Sequence, residues 1–451
     1  MEKQSKEEKN TFRVNRVKHM RADEAVKLVR DGDWVEYGFG AGFPELLDKA
    51  LAARKDELKD VKIRGGLILQ QRIEAVECDP EQKTFHYYSV HIGDYERKLQ
   101  SRGLVTYVPV MLRTVPSWYR RKDLRTDVAF VPVSRPDADG FCSLGISPYT
   151  WQVIAENART VIFEINEHYP VLFGKNPEKA TRLPLSMADA VVEGEHGPVP
   201  TRSYRAPSET DLTIARRVVE EIPDGACLGL GVGGIPFAVA NMIADSDLKD
   251  LGCWTGTISD PFMKLYEAGK LTNKNKKRDT GLATWNLCMG SQEMYDWVAA
   301  HGDLFNPSDL GYVHDPRNIA ENDNYISING AVQVDLMGQE NGETAGTRQL
   351  SGIGGQMDFL EGAMLSKGGK GFICLASTHA RKDGTLQSNI VPFIPGGSTV
   401  SVPRTQIQYV ATEYGIAHLA GKSVRGRAEA LIEVAHPAFR DELAAYAKEH
   451  F

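Results

Sequence analysis

The chain has 451 residues, 42% of them hydrophobic and 25% charged, with a formal net charge of −7. That length exceeds one compact core and points to two domains, and the composition excludes a disordered or fibrous chain. An acidic balance with only short basic clusters, and no run of about eighteen apolar residues, makes neither nucleic acid nor a membrane an expected partner.

Residues 1–10 are charged and lack the apolar core of an export signal, so the expected location is cytoplasmic. The six cysteines (Cys78, Cys142, Cys227, Cys253, Cys288 and Cys374) are scattered without CxxC pairing. That is the pattern of reduced thiols, with no disulfide and no structural metal expected.

A repeat organises the rest of the chain. An amphipathic helix carrying Ala25, Val26, Leu28 and Val29 leads through Asp31-Gly32 to a short apolar strand, then to Gly38, Gly40, Gly42 and Pro44. The same order returns as Ile214, Ala215, Val218 and Val219, Asp224-Gly225, a strand, then Gly229, Gly231, Gly233, Gly234 and Pro236. In each copy the proline opens a new helix. Between the copies, Val128–Val133 and Thr160–Ile165 read as buried parallel strands, and 372–375 reads the same way after the second. These elements predict an α/β protein of two related open α/β domains, over 1–205 and 206–451, joined by the Pro- and Ser-containing stretch 198–207. The Gly-rich loops then fall at strand carboxyl ends, where open α/β sheets bind ligands.

Glycine loops of this kind have two meanings. Their amides can approach an anion at a helix N-terminus, which would make Gly231, Gly233, Gly234 and Ile235 a pyrophosphate or thioester cradle. Alternatively the glycines serve a tight turn and close packing. A dinucleotide site is not expected, because no GxGxxG is followed by an acidic residue about twenty positions on. A further loop, Ser351-Gly352-Ile353-Gly354-Gly355-Gln356, follows an alternating strand pattern over 326–336. Amides at Gly354, Gly355 and Gln356 with Asn329 could receive the oxyanion of an acyl-transfer intermediate; a Gly-rich hairpin beside a buried Asn is the other reading.

Several ordered motifs resemble one family, the acetyl-CoA hydrolase/transferase branch of class I CoA-transferases. They are Pro136-Asp137-Ala138-Asp139-Gly140-Phe141, Gly231-Val232-Gly233-Gly234-Ile235-Pro236, Gly346-Thr347-Arg348-Gln349, Gly354-Gly355-Gln356-Met357-Asp358-Phe359, Thr412-Glu413-Tyr414-Gly415 and Ala435-His436-Pro437. The resemblance implies the class I CoA-transferase fold and a ping-pong exchange with coenzyme A as substrate, not as a permanently bound cofactor. In that exchange a glutamate attacks short-chain acyl-CoA, passes through an acyl anhydride to a glutamyl-CoA thioester, and hands CoA to a small carboxylate. It further implies that Asn329, Gly354, Gly355 and Gln356 line the thioester, that Gly231, Gly233, Gly234 and Ile235 cradle CoA, and that Lys370 reaches its phosphates. Residues 67–72 align with a part of the family that lines the acyl pocket, where Arg72 could meet a distal carboxylate or simply face solvent.

The nucleophile is the exception. Where the family pattern has Glu, this chain reads Leu251-Gly252-Cys253-Trp254-Thr255-Gly256-Thr257-Ile258-Ser259-Asp260. Gly256 has no side chain to carry an anhydride. Three accounts follow: Glu36 substitutes from the first repeat strand, the chain is one subunit of a hetero-oligomer whose partner supplies the glutamate, or it binds CoA esters without transferring them or hydrolyses them slowly; a homo- or hetero-oligomer is the expected assembly. The second is the favoured expectation. Glu267, Glu343, Glu413 and Asp260 match acids of the family scaffold, and His91, His418 and His436 are expected in core or capping roles, since no GxSxG elbow accompanies them.

Overall fold

Short Val, Ile and Phe runs that bury both faces need covering layers on both sides, and parallel strands joined by helices supply them. In the computed structural model, which describes residues 17–172 and 181–451, this gives a mixed α/β architecture. The charged residues 1–10 lie outside the described residues. The chain divides into two compact units: residues through Val110 with Thr114–Arg202 and Asn286–Gly311, then Met111–Arg113 with Ser203–Trp285 and Tyr312–Phe451.

In the first unit, β1 (Lys18–Met20), β2 (Trp34–Phe39), β3 (Val61–Gly66), β4 (Phe85–Ser89), β5 (Thr106–Tyr107), β6 (Val128–Val133), β7 (Thr160–Ile165) and β8 (Ala190–Glu193) form one sheet. Its order is β1-β8-β7-β6-β2-β3-β4-β5 and every pairing is parallel. All residues of β6 and β7 are buried, as their apolar sequences require. Helix α1 (Glu45–Ala52) packs Leu47 and Leu51 into a core with Val35, Tyr37, Phe130 and Ile162.

The second unit contains β9 (Cys227–Leu230), β10 (Gly252–Ile258), β11 (Tyr325–Gly330), the hairpin β12 (Gln333–Asp335) with β13 (Glu340–Asn341), then β14 (Lys370–Cys374), β15 (Tyr409–Thr412) and β16 (Gly415–His418). Six of these run side by side as β10-β9-β11-β14-β15-β16, parallel except for the last pair. Helices α2 (Glu209–Val219), α3 (Gly234–Ala244) and α4 (Gln356–Leu365) flank the strands.

The repeat is visible in atomic detail. Both Asp-Gly turns place glycine at positive φ, +75° at Gly32 and +73° at Gly225. Gly32 N donates to Lys59 O at 2.9 Å and Gly225 N to Lys249 O at 3.0 Å, while Lys59 N and Lys249 N donate back to Asp31 and Asp224 at 2.9 and 3.0 Å. Two identical turn locks thus bind each repeat strand to the lead-in of the next. The first copy differs in its helix, which is a four-residue helix Ala22–Ala25 continued by the 3-10 turn Val26–Leu28.

Two expected boundaries change. Residues 286–311, read from sequence as part of the carboxyl half, group with the first unit, because the chain leaves the second unit within the strand Ala283–Cys288. The alternating run 326–336 is broken after Gly330, where Val332 N turns to Asn341 O at 2.8 Å and starts the hairpin.

Candidate active site

Strand order locates the site in the second unit. From β9 the chain moves outward to β10 on one side, then returns to β11 on the other, so the crevice between β9 and β11 is a topological switch point. Register makes this concrete. Cys227 pairs with both Gly252 and Tyr325, and four residues further along the three parallel strands stand Gly231, Gly256 and Asn329. Gly231 N donates to Ile328 O at 2.9 Å, and Thr255 Oγ1 donates to Leu230 O at 3.0 Å, which stitches the three ends together.

Each of these positions has a physical reason for its residue. A Cβ on Gly231 would stand 3.1 Å from Ile328 O. Gly233 caps α3 at φ +149°, a conformation open chiefly to glycine, and a Cβ there would meet only Pro236 Cδ at 3.9 Å. Gly234 lets α2 approach, since a Cβ would fall 2.8 Å from Asp211 Oδ2. Ile235 is buried in the first turn of α3, so its side chain packs in the core. Leu230, Gly231, Val232, Gly233, Pro236 and Phe237 border a small hollow over this turn. Asn329 Nδ2 donates one hydrogen to Ser327 Oγ at 2.8 Å, which fixes the amide and leaves its second hydrogen available.

The loop of Gly354 and Gly355 lies against the same strand end. Cβ atoms built on Gly256 and Gly355 would both meet the rings of His314 and Phe359, at 3.1–3.2 Å from Gly256 and 2.4–2.5 Å from Gly355. Gly354 has φ +59°, and Gly355 caps the ten-residue helix α4. The NH groups of Gly354 and Gly355 donate to no backbone carbonyl among the described residues. Two free amides at a helix N-terminus can receive a developing oxyanion.

Other expected positions are placed differently. Gln356 N is engaged by Ile353 O at 3.3 Å, so it is not a free oxyanion donor. Its side chain lies in the same neighbourhood as the carboxyl of Glu340, since a Cβ on Gly342 would lie 3.1 Å from Gln356 Oε1 and 2.7 Å from Glu340 Oε1, but Gln356 Nε2 and both Glu340 oxygens complete no hydrogen bond. Glu340 is fully buried, and burial, reinforced by the nearby Glu343, pushes its carboxyl well above the usual range.

Lys370 requires a correction. It opens β14 opposite Ile326, at the amino end of the strand, whereas the Gly loops lie at the carboxyl end, and its Nζ pairs with Glu221 Oε2 at 2.7 Å. A phosphate contact does not fit that place.

Glu36 is corrected likewise. In the first unit its Oε2 receives Tyr119 OH at 2.8 Å and Arg64 Nη1 at 3.2 Å. All three side chains are buried, and desolvation raises the Glu36 carboxyl to about 7 against the pull of Arg64. A carboxylate held by a core cation and a phenol is a structural pair, not a free nucleophile.

Arg72 is exposed and paired with Glu74 at 2.8 Å, on the rim of a first-unit groove that also takes in Gln70, Gln71 and Lys49. Glu413 holds Ser377 through both carboxylate oxygens, and His436 Nδ1 accepts from Ala438 N at 3.2 Å in a capping role. Burial lowers His91 to about 4.

Residues that sequence reasoning passed over are His314, Asp358 as its partner, and Glu340. The sequence signal for His314 was slight, a histidine ahead of the Asp315-Pro316 helix start; Glu340 was marked only by falling on an inward position of a hairpin strand.

The fold and site define a class of protein: two α/β units built on parallel strands, with glycine-lined strand ends at a switch point. The sequence matches the acetyl-CoA hydrolase/transferase N-terminal domain over residues 1–201 and the C-terminal domain of the same family over 290–447. The chain belongs to the acetyl-CoA hydrolase/transferase family. It is 41% identical to the butyryl-CoA:acetate CoA-transferase of Anaerostipes caccae, over 94% of each chain. It is 36% identical to the 4-hydroxybutyrate coenzyme A transferase of Clostridium kluyveri, over 97% of this chain and 99% of that one. The crystal structure of RipA from Yersinia pestis superposes with a TM-score of 0.86 at 34% identity, over 96% of this chain and 97% of that one.

Proposed function

We propose that this chain binds short-chain acyl-CoA at the β9/β11 switch point and serves CoA transfer from the thioester to a small carboxylate. In this reading it is one subunit of a cytoplasmic oligomer whose glutamate-bearing partner supplies the attacking group. The observation that carries it is the convergence of Gly231, Gly256 and Asn329 at one register level with the free amides of Gly354 and Gly355 beside them. These groups support a site that holds and polarises a thioester carbonyl, and none of them is a nucleophile.

The similarity to a butyryl-CoA:acetate CoA-transferase supports butyryl-CoA and acetate as the first substrates to try. A cytoplasmic setting is supported by the free cysteines and by the lack, among the described residues, of any helix long and apolar enough to cross a membrane. Coenzyme A enters as the carrier part of the substrate.

The test is to restore the missing group. A carboxylate at 256 must push His314 and Phe359 aside by a few tenths of an ångström, because its Cβ would lie 3.1–3.2 Å from them. Gly256→Glu combined with His314→Ala is expected to transfer CoA from butyryl-CoA to acetate and to show a glutamyl-CoA adduct at position 256, while the unmodified chain alone transfers none. Transfer with parallel-line kinetics by the unmodified chain alone would sink the partner requirement.

A further inference from the structure

His314 occupies a slot that exists only because two residues are glycine. A Cβ on Gly355 would fall 2.4 Å from His314 Cε1 and 2.6 Å from Nδ1, and a Cβ on Gly256 would lie 3.2 Å from both Cε1 and Nε2. The imidazole is therefore wedged between the strand end that lacks a nucleophile and the loop that carries the free amides. It is almost wholly buried, with Phe359 tilted against it at 4.9 Å between ring centroids. Its place is set by β10 itself, because Trp254 Nε1 donates to Val313 O at 2.8 Å and pins the residue ahead of His314 to the strand.

The two ring nitrogens face different surroundings. Nδ1 lies 3.3 Å from Asp358 Oδ2, and Asp358 Oδ1 lies 3.4 Å from Arg113 Nε, itself within reach of Glu361 Oε2 at 2.5 Å through Nη1. Asp358 is fully buried, and neither its carboxylate oxygens nor His314 Nδ1 complete a hydrogen bond at these separations. Leaving such groups unsatisfied in a core is costly, which makes this cluster a candidate for a role beyond packing. Nε2 points the other way, toward Gly256.

We infer that His314, oriented by Asp358, is a general base that delivers water to the thioester of bound acyl-CoA, giving this chain an acyl-CoA hydrolase activity of its own. The inference rests on the proposed thioester site beside Gly354 and Gly355. In the reaction, the water oxygen bonds to the carbonyl carbon while one of its protons passes to His314 Nε2. The Gly354 and Gly355 amides receive the oxyanion. The intermediate collapses with cleavage of the C–S bond, and the departing thiolate takes the proton back from Nε2. Carboxylic acid and free CoA leave, and no covalent bond to the protein forms. Asp358 is a positioning residue: its carboxylate, 3.3 Å from Nδ1, favours the ring proton on that side and leaves Nε2 as the base.

The experiment uses the full chain alone, butyryl-CoA without added carboxylate, a thiol reagent to follow CoA release, and calorimetry to follow butyryl-CoA binding. Thiol release is expected from the unmodified chain. His314→Gln should lower kcat about 100-fold or more, with butyryl-CoA affinity changed less than threefold, and Asp358→Asn should lower kcat by a smaller factor with KM unchanged. If either variant fails to fold, the unmodified chain decides: its hydrolysis should slow about two- to threefold in heavy water, as a rate-limiting proton transfer to Nε2 requires. Binding without hydrolysis, hydrolysis unaltered by His314→Gln, or the absence of any solvent isotope effect overturns the role of His314 and leaves the binding site standing. Failure to bind butyryl-CoA at all overturns the proposed site, and this role with it.

Discussion

The two glycine loops come from one repeated unit and stand at equivalent switch points, yet they are covered to different extents. In the first unit the loop after β2 is filled. A Cβ on Gly38 would lie 2.4 Å from Trp151 Cζ2, and one on Gly42 would lie 2.6 Å from Tyr169 Oη. Both aromatic side chains are buried, so these glycines make room for packing. In the second unit Gly231 and Gly234 are packed as well, but the crest of the loop after β9 is open, with Gly233 at φ +149° and uncovered and Val232 exposed. One sequence motif thus carries both the bland meaning and the functional one, and the difference lies in which bulky side chains the rest of the chain brings to it.

The strongest way to break this comparison is to fill each loop. Gly38→Ala adds a methyl at φ +83° against a buried indole, and a loss of roughly 3–4 kcal/mol is expected from overpacking and backbone strain together, read from the shift in urea midpoint. A loss below about 1 kcal/mol would show that the first loop is not packed as described.

Glu36 sharpens the same contrast, since it lies on β2 just ahead of the filled loop. Its carboxyl is raised from 4.5 to about 7, so the folded protein holds that proton more tightly than the unfolded chain does. The stabilisation is complete below pH 4.5 and is lost as pH rises through about 7. Glu36→Gln should flatten the fall in unfolding free energy between pH 5 and 8 by an amount on the order of 2–3 kcal/mol, measured by denaturant titration at each pH. Unchanged butyryl-CoA binding is expected alongside, and a collapse of binding would return Glu36 to the list of site residues.

The smallest effect belongs to the open loop. Gly233→Ala meets no neighbour closer than 3.9 Å, so its unfolding midpoint should move by about 1–2 kcal/mol at most, from backbone strain alone. Its affinity for coenzyme A should nonetheless fall about tenfold, or about 1.4 kcal/mol, by calorimetry. Equal affinity would mean that the second loop, like the first, only packs.

Much of this was legible in the sequence. Glycine spacing and the Asp-Gly pairs revealed the repeat, and Val128–Val133 and Thr160–Ile165 were bounded to the residue, because uninterrupted apolar runs between turn signals leave little choice of register. The misplacement of Lys370 was avoidable: a residue just ahead of an apolar run that reads as a parallel strand lies at the amino end, away from a site at the carboxyl ends. The return of 286–311 to the first unit was not legible, since the chain crosses between units inside a strand with no change in composition. His314, Asp358 and Gly256 come from three separate elements, and only the packing of α4 and β10 brings them together. The absent glutamate was plain from one letter; what occupies its surroundings was not.

The central claim is that the thioester site is intact while the chain lacks its own covalent nucleophile. Intact-mass measurement of the unmodified chain after incubation with butyryl-CoA, on a sample shown by calorimetry to bind it, tests this most directly. The account predicts binding with no gain in protein mass. A mass gain of one coenzyme A or one butyryl group, mapped to any glutamate of this chain, would contradict it.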